Sequence, residues 1–339
     1  MKQACLRAVI AALFVLLAIL TWPLETPAND SIAALGAGGI ELLKSDNIRM
    51  LEEVLEISPR MVRVKYRFLN ETDQDIHTPV AFPLPAYPPG RGDATGMHLT
   101  ERIWKTFKVL EDGRPVVTHY ECKAMLDGRD VTGELRWLGL SDDEIFFRVR
   151  SKGLGALEGK LGAVRRELGA WWHMSQIMSW SMTFPARKEI AVEHEYAPVT
   201  GHGWAGIDQA IWKNQSGADL SRLWNSFTGK EDERADEDCL DERTKRAVEN
   251  RIRVAMNKGA ESVMVFYTKV AYVLGTGRNW KGPIGDFILR LVKEKPDQFV
   301  SVCFPGQPKK ISPTVYEFHE KDFVPQDTLA VYFYTVDAR

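Results

Sequence analysis

Residues 66–85 read Tyr66-Arg67-Phe68-Leu69-Asn70-Glu71-Thr72-Asp73-Gln74-Asp75-Ile76-His77-Thr78-Pro79-Val80-Ala81-Phe82-Pro83-Leu84-Pro85. Tyr66, Phe68, Ile76, Val80 and Phe82 flank a polar middle, which predicts a strand, a tight acidic hairpin turn and a second strand stopped by two prolines. Just upstream, Val62, Val64, Tyr66 and Phe68 alternate with Arg63, Lys65 and Arg67. Period two marks a half-buried antiparallel strand, and a one-residue slip would bury three cations. The expected fold is mainly β: an antiparallel β-sandwich with two short helices, at about 154–168 and 239–257. The oxygen-rich turn invites comparison with a calcium loop, but it lacks the central glycine and distal glutamate of an EF-hand. No metal site is expected.

The first 28 residues have the three parts of an export signal. Lys2 and Arg7 form a basic start, Ala8 to Leu20 an apolar run, and Thr26-Pro27-Ala28 a small-residue cleavage site. The run is shorter than the ~20 apolar residues of a membrane helix. Cleavage near Ala28 is expected, with retention as an anchor the alternative. The mature chain is expected to be periplasmic or extracellular and to have no membrane span. The whole chain carries 44 basic and 46 acidic side chains, net −2, and cleavage removes only Lys2, Arg7 and Glu25. Interspersed charges near balance exclude the basic stripe of a nucleic-acid binder.

The chain then divides, by composition, into a β-sandwich domain over 29–200, a Gly/Trp-rich connection with a charged helix over 201–262, and a β-rich part over 263–339. Within the first, Ile103–Val109 and Val116–Cys122 read as strands around the Asp112-Gly113 turn. Leu154, Leu157, Leu161, Val164 and Leu168 recur at helical spacing. His194 shares an alternating face with Ile190, Val192 and Tyr196, the usual place of a core histidine. In the second, glycines surround Trp204, Trp212 and Trp224, either a loop with packed indoles or an aromatic ligand surface. An acidic block before Arg243, Lys245, Arg246, Arg251 and Arg253 complements a helix dipole, and Gly259 supplies the stop.

Chemistry-bearing motifs are missing. There is no HExxH, CxxC or GxSxG, and no two of the seven histidines stand at a zinc-binding i, i+4 spacing. The glycine-rich run from Gly275 to Gly285 has neither a P-loop ending nor a dinucleotide fingerprint. No cofactor and no catalytic residue is expected. Three cysteines remain after cleavage, Cys122, Cys239 and Cys303. In an oxidising compartment they form one disulfide and one leftover thiol, with three pairings open.

Several segments together resemble an exported bacterial family, that of domain of unknown function 4424. They are SIAALGAGGI (31–40), KSDNIRM (44–50), ISPRMVRVKYRFLN (57–70), AFPLP (81–85), DGRDVT (127–132), TFPARKEIAVEHEYAPVTG (183–201) and YVLGTGRNWKGPIGDFILRLVKEKPD (272–297). A second, local similarity links Tyr66, Asn70 and the FPLP run to the vault and inter-α-trypsin type β-sandwich domain. The resemblance implies an exported β-rich protein without an assigned activity, and it favours Cys239 with Cys303 as the disulfide. The expected function is that of a non-enzymatic binding or scaffold module of the cell envelope, with an envelope protein or glycan as partner. The alternative is a hydrolase of an envelope polymer using paired carboxylates.

Overall fold

The computed structural model describes residues 31–36, 39–87, 103–146, 159, 162, 172–214, 220, 223, 224, 240–326 and 328–339. The chain is mostly β, in three sheets. A six-stranded sheet runs in the order β2 (Gly39–Leu43), β1 (Ser31–Gly36), β5 (Ile76–Tyr87), β10 (His173–Phe184), β8 (His119–Leu126), β9 (Arg129–Asp130). An eight-stranded sheet runs β16 (Lys309–Lys310), β17 (Val315–Phe323), β14 (Ile284–Val292), β3 (Ile48–Ile57), β4 (Val62–Asn70), β11 (Glu189–Tyr196), β6 (Lys108–Glu111), β7 (Arg114–Pro115). A four-stranded sheet runs β12 (Thr200–Asp208), β13 (Ser262–Val273), β18 (Thr328–Ala338), β15 (Phe299–Val302). Among the described residues pairing is antiparallel except between β14 and β3, where Asp286 faces Glu52 and Leu291 faces Ile57. The eight-stranded sheet therefore takes strands from both sides of the divisions expected near 200 and 262.

The stretch 66–85 departs from the expected hairpin. Its first strand, β4, lies in the eight-stranded sheet, paired with β3 and β11. Its second, β5, lies in the six-stranded sheet, paired with β10 and β1. The polar middle is thus a crossover between layers. Buried Asn70 braces it: its Nδ2 donates to the Gln74 carbonyl (2.8 Å) and to the Phe184 carbonyl (2.8 Å). Its Oδ1 accepts from the Thr72 backbone N–H (2.9 Å) and hydroxyl (2.8 Å). Nor do the prolines stop β5, which runs on through Pro83 and Pro85 to Tyr87. Proline needs a strand side where no donor is called for. Among the described residues β1 pairs with β5 only at Val80 and Ala81, so the prolines interrupt no ladder on that side.

The strict alternation upstream appears as read. Val62, Val64, Tyr66 and Phe68 point into the core. Arg63, Lys65 and Arg67 face out among carboxylates of neighbouring strands: Arg63 with Glu56 (3.0 Å) and Glu195 (3.6 Å), Lys65 with Glu193 (2.9 Å), Arg67 with Glu52 (2.8 Å) and Glu189 (2.9 Å). The Asp112-Gly113 turn also forms, with φ of 45° and 75° as a two-residue hairpin requires. The strand expected over 103–109 instead opens as a helical turn, α1 (Ile103–Thr106), before β6. The turn delivers Phe107 into the core against Phe82 and Tyr196, at ring separations of 5.5 and 5.7 Å.

Three apolar cores result. The main one draws Tyr66, Phe82, Trp180, Tyr272, Phe287 and Phe333 from all three sheets. A smaller one lies beneath β8, where α2 (Thr132–Trp137), α3 (Asp142–Phe146) and Trp172 pack. The third lies between the four-stranded sheet and α5 (Glu242–Asn257), which follows the short α4 (Gln209–Asn214). In β13 and β18 the residues paired as Val270 with Val331 and Tyr272 with Leu329 enter the main core. Those on the other face, including Val263, Val265, Tyr332 and Tyr334, meet α5. Of the two expected helices, α5 is therefore present, and that of 154–168 lies outside the described residues apart from helical Gly159 and Gly162.

The Gly/Trp-rich connection is not a loop at its start but the regular strand β12. A Cβ on Gly203 would stand 2.3 Å from the Tyr267 ring. Glycine there makes room for a cross-strand aromatic ring, so a residue type that suggests a loop serves a strand.

Candidate ligand-binding site

The local sequence builds α5 from a capped start. Asp241 is the N-cap, in extended conformation, and its Oδ1 accepts from the Thr244 backbone N–H (2.9 Å). Its Oδ2 accepts from the Thr244 hydroxyl (2.7 Å) and the Ser301 hydroxyl (2.8 Å), while its own N–H donates to Ser301 Oγ (2.8 Å). The Val300 carbonyl, 2.9 Å away, is a second acceptor for the same Thr244 hydroxyl proton. Thr244, Val248, Ile252 and Met256, four residues apart, are the buried stripe that lies on the sheet. Gly259, at φ 91°, ends the helix.

These bonds fix the first turn of α5 over strand β15, an edge of the four-stranded sheet. Beside it lies β17, near the edge of the eight-stranded sheet. Between them is a cleft of about 290 Å³. Its helical side is Asp241, Arg243, Thr244 and Ala247. Its opposite walls are Leu291 of β14, Phe299, Val300 and Val302 of β15, and Tyr316 and Phe318 of β17. Phe304 also lines it, with its ring 5.6 Å from Phe287 and 5.2 Å from Phe318, as does Gln298. Gly306, Gln307 and Pro308 form the rim, where the Arg243 guanidinium donates to Gln307 Oε1. Behind Tyr316 lies buried Lys293. Its ammonium donates to the carbonyls of Pro296 (2.7 Å) and Gln298 (2.9 Å) and stands 5.4 Å from the Tyr316 ring centre. Burial pulls its pKa below the ordinary lysine value, with Lys310 adding to the effect.

The residues singled out in the sequence lie elsewhere, or only flank this cleft. Trp204 is 66% exposed on edge strand β12, directly opposite Phe266, which is 40% exposed. On the same face His202 bonds the hydroxyls of Thr200 (2.8 Å) and Thr268 (3.2 Å). Trp212 is partly buried against the core under α5. Trp224 departs from a surface reading: it is 5% exposed within that core, and its indole N–H donates to Glu249 Oε1 (2.9 Å). Cys303 stands between the lining residues Val302 and Phe304, and Cys239 lies outside the described residues. Cys122 is a free thiol in β8, and burial pushes its pKa up to about 12. A thiol so shifted is a poor nucleophile at neutral pH. His194 is buried in the main core, as its alternation suggested. Among the described residues no helix is long and apolar enough to cross a membrane, and no three metal-ligating side chains cluster.

Sequence reasoning did not find the cleft. Its walls come from residues 241–247 and 291–318, and the only local signals were the helix start and the prolines at 305 and 308.

A family model, domain of unknown function (DUF4424), matches residues 28–332. No curated protein matches the chain. Among solved structures, a candidate nutrient binding protein from Legionella pneumophila is similar over 90% of this chain and 72% of its own, with 13% identity and a TM-score of 0.39. Yeast LTA4 hydrolase is similar over 84% of this chain and 29% of its own, with 10% identity and a TM-score of 0.29.

Proposed function

The chain belongs to the DUF4424 family, whose description assigns no activity, and on that premise we propose that it is an exported, non-enzymatic binding module of the cell envelope. Its ligand seats an apolar group in the cleft beside the first turn of α5. The observation that carries this reading is the cleft itself: preformed and largely apolar with a few polar groups in its lining, as small-molecule sites are built. The alternative, a hydrolase with paired carboxylates, needs two acids about 5–9 Å apart across the substrate. Asp241 is the one carboxylate among the described lining residues, and both of its oxygens are engaged in capping and in the bond to Ser301.

Two further features belong to the proposal. Cys239 pairs with Cys303. In support, Asp241 and Ser301, each two residues away from one of these cysteines, are bonded to each other twice. The exposed Trp204–Phe266 pair is the face offered to an envelope protein or glycan. Export follows from residues 1–28, and cell fractionation tests it: the chain should appear in the periplasm or medium, shortened by that segment.

The neutral probe N-phenyl-1-naphthylamine tests the cleft. Its fluorescence should rise with the wild-type protein and fall back at least tenfold with Ala247→Trp, which fills the space. Equal enhancement by both proteins would place the apolar site elsewhere.

A further inference from the structure

Resting on the reading of the cleft as the binding site, we propose that its ligand is a small monoanionic amphiphile: one short acyl or aryl group carrying a carboxylate, with Arg243 as the anchor for that carboxylate.

Size sets the first limit. At about 30 Å³ of liquid volume per water, 290 Å³ is the share of roughly ten waters. That is at the lower end of ligand pockets, enough for one linear chain or ring and too little for an oligomer. The side chains of Leu291, Phe299, Val302, Phe304 and Phe318 give the cleft an apolar surface for such a group.

Charge sets the second. Among the described residues the polar contact of Arg243 is with Gln307, a neutral amide, and no carboxylate pairs with the guanidinium. Lys309 and Lys310 follow Pro308 on strand β16, and Lys293 lies behind Tyr316. Against these cations stand Asp241, Glu320 and Asp297, the last close enough to Lys293 to act on its charge. Asp241 is turned into the helix cap and Ser301. Glu320 Oε1 approaches Gly306, 2.9 Å from where a Cβ would be. Glu317, next in register to Lys309, is held by Arg290 at 2.9 Å. Among the described lining residues Arg243 is the one cation, and the one carboxylate, Asp241, is already engaged. A planar guanidinium whose polar contact among the described residues is an amide matches a carboxylate in fork geometry. An anionic head at the rim with its apolar tail on Phe304 satisfies both ends of the cleft.

Isothermal titration of the full mature chain with decanoate, decan-1-ol and decyltrimethylammonium tests this. Decanoate should bind at least tenfold more tightly than decanol, and the cationic analogue more weakly than either. Arg243→Gln should bring decanoate down to the decanol value while decanol binding stays unchanged. Arg243→Lys should keep part of the preference. Equal binding of decanoate and decanol by the wild type would overturn the anionic assignment and leave the apolar site standing. Decanoate binding that survives Ala247→Trp, or no binding by any of the three, would overturn the cleft itself. Arg243 is exposed, so unchanged thermal melting of its variants checks that the fold is intact.

Discussion

His194 sits inside a cage of Tyr66, Phe82, Phe107 and Trp180, with ring separations of 5.4, 5.2, 5.4 and 5.0 Å. Burial pushes its pKa down to about 3, from an ordinary 6.5. Between those values the unfolded chain takes up a proton that the folded chain refuses. Stability is therefore fully present above 6.5 and drains as pH falls toward 3, by about 1.4 kcal/mol for each pH unit. Urea unfolding at several pH values should show this slope, and His194→Leu should remove that part of it. Parallel curves for the two proteins would refute it. The alternation around residue 194 placed the side chain on an apolar face, but its cage comes from four distant segments and was invisible. Asn70 was legible only as a turn residue, because one of its partners, Phe184, lies 114 positions on. Asn70→Ala should cost about 2–4 kcal/mol in thermal or urea unfolding, since buried bonding groups lose their partner. Asn70→Asp should cost more, because it sets a charge against the Gln74 and Phe184 carbonyls.

At the level of elements, legibility followed how local the cause was. Helix α5 was readable because its basic run and its glycine stop at Gly259 are close neighbours in the chain, whereas its cap, Asp241, shows only in the structure. Its cap gives a graded prediction: Asp241→Asn should be nearly neutral for stability, while Asp241→Ala should cost about 1–2 kcal/mol from the lost cap. The Ser301 bond would add to that. If chemical denaturation shows both variants alike, the cap is not what holds the first turn. Strands β4 and β11 were readable for the same local reason, as their period is two. Strand β12 was not, because its glycines answer to Tyr267 and Met264 of the neighbouring strand. Helix α1 was read as a strand because apolar Ile103, Trp104 and Phe107 carry no period over so few residues. Strand β5 was cut short in the reading because proline's cost depends on whether a neighbour needs its N–H, which only pairing decides.

On the scale of the whole molecule, the mainly β class was in the sequence and the arrangement of sheets was not. The parallel pairing of β14 with β3 joins segments more than 200 residues apart, and no local pattern encodes it. The cleft was hidden for a related reason: it lies where β15, β17 and the start of α5 approach one another, and no local pattern joins residues 241–247 to 291–318. A Cys239–Cys303 link would tie the helix start to the end of β15. Non-reducing mass mapping should find the pair joined and Cys122 free. Reduction should then lower both the melting temperature and probe uptake in the cleft; free thiols at 239 and 303 would refute the link.

The four-stranded sheet has one further consequence. It is a wall with a core on each side, so α5 can lift away while β13 and β18 keep their partners in the larger core. Folding free energy then comes in two cooperative steps, a shallow one for the helix layer and a deep one for the sheets. In native-state hydrogen exchange the α5 amides should open together, at lower cost than those of β13. Ligand in the cleft should slow the helix amides and leave the strand amides unchanged. Occupancy would then be recorded in the opening rate of one layer, with no change of shape in the rest.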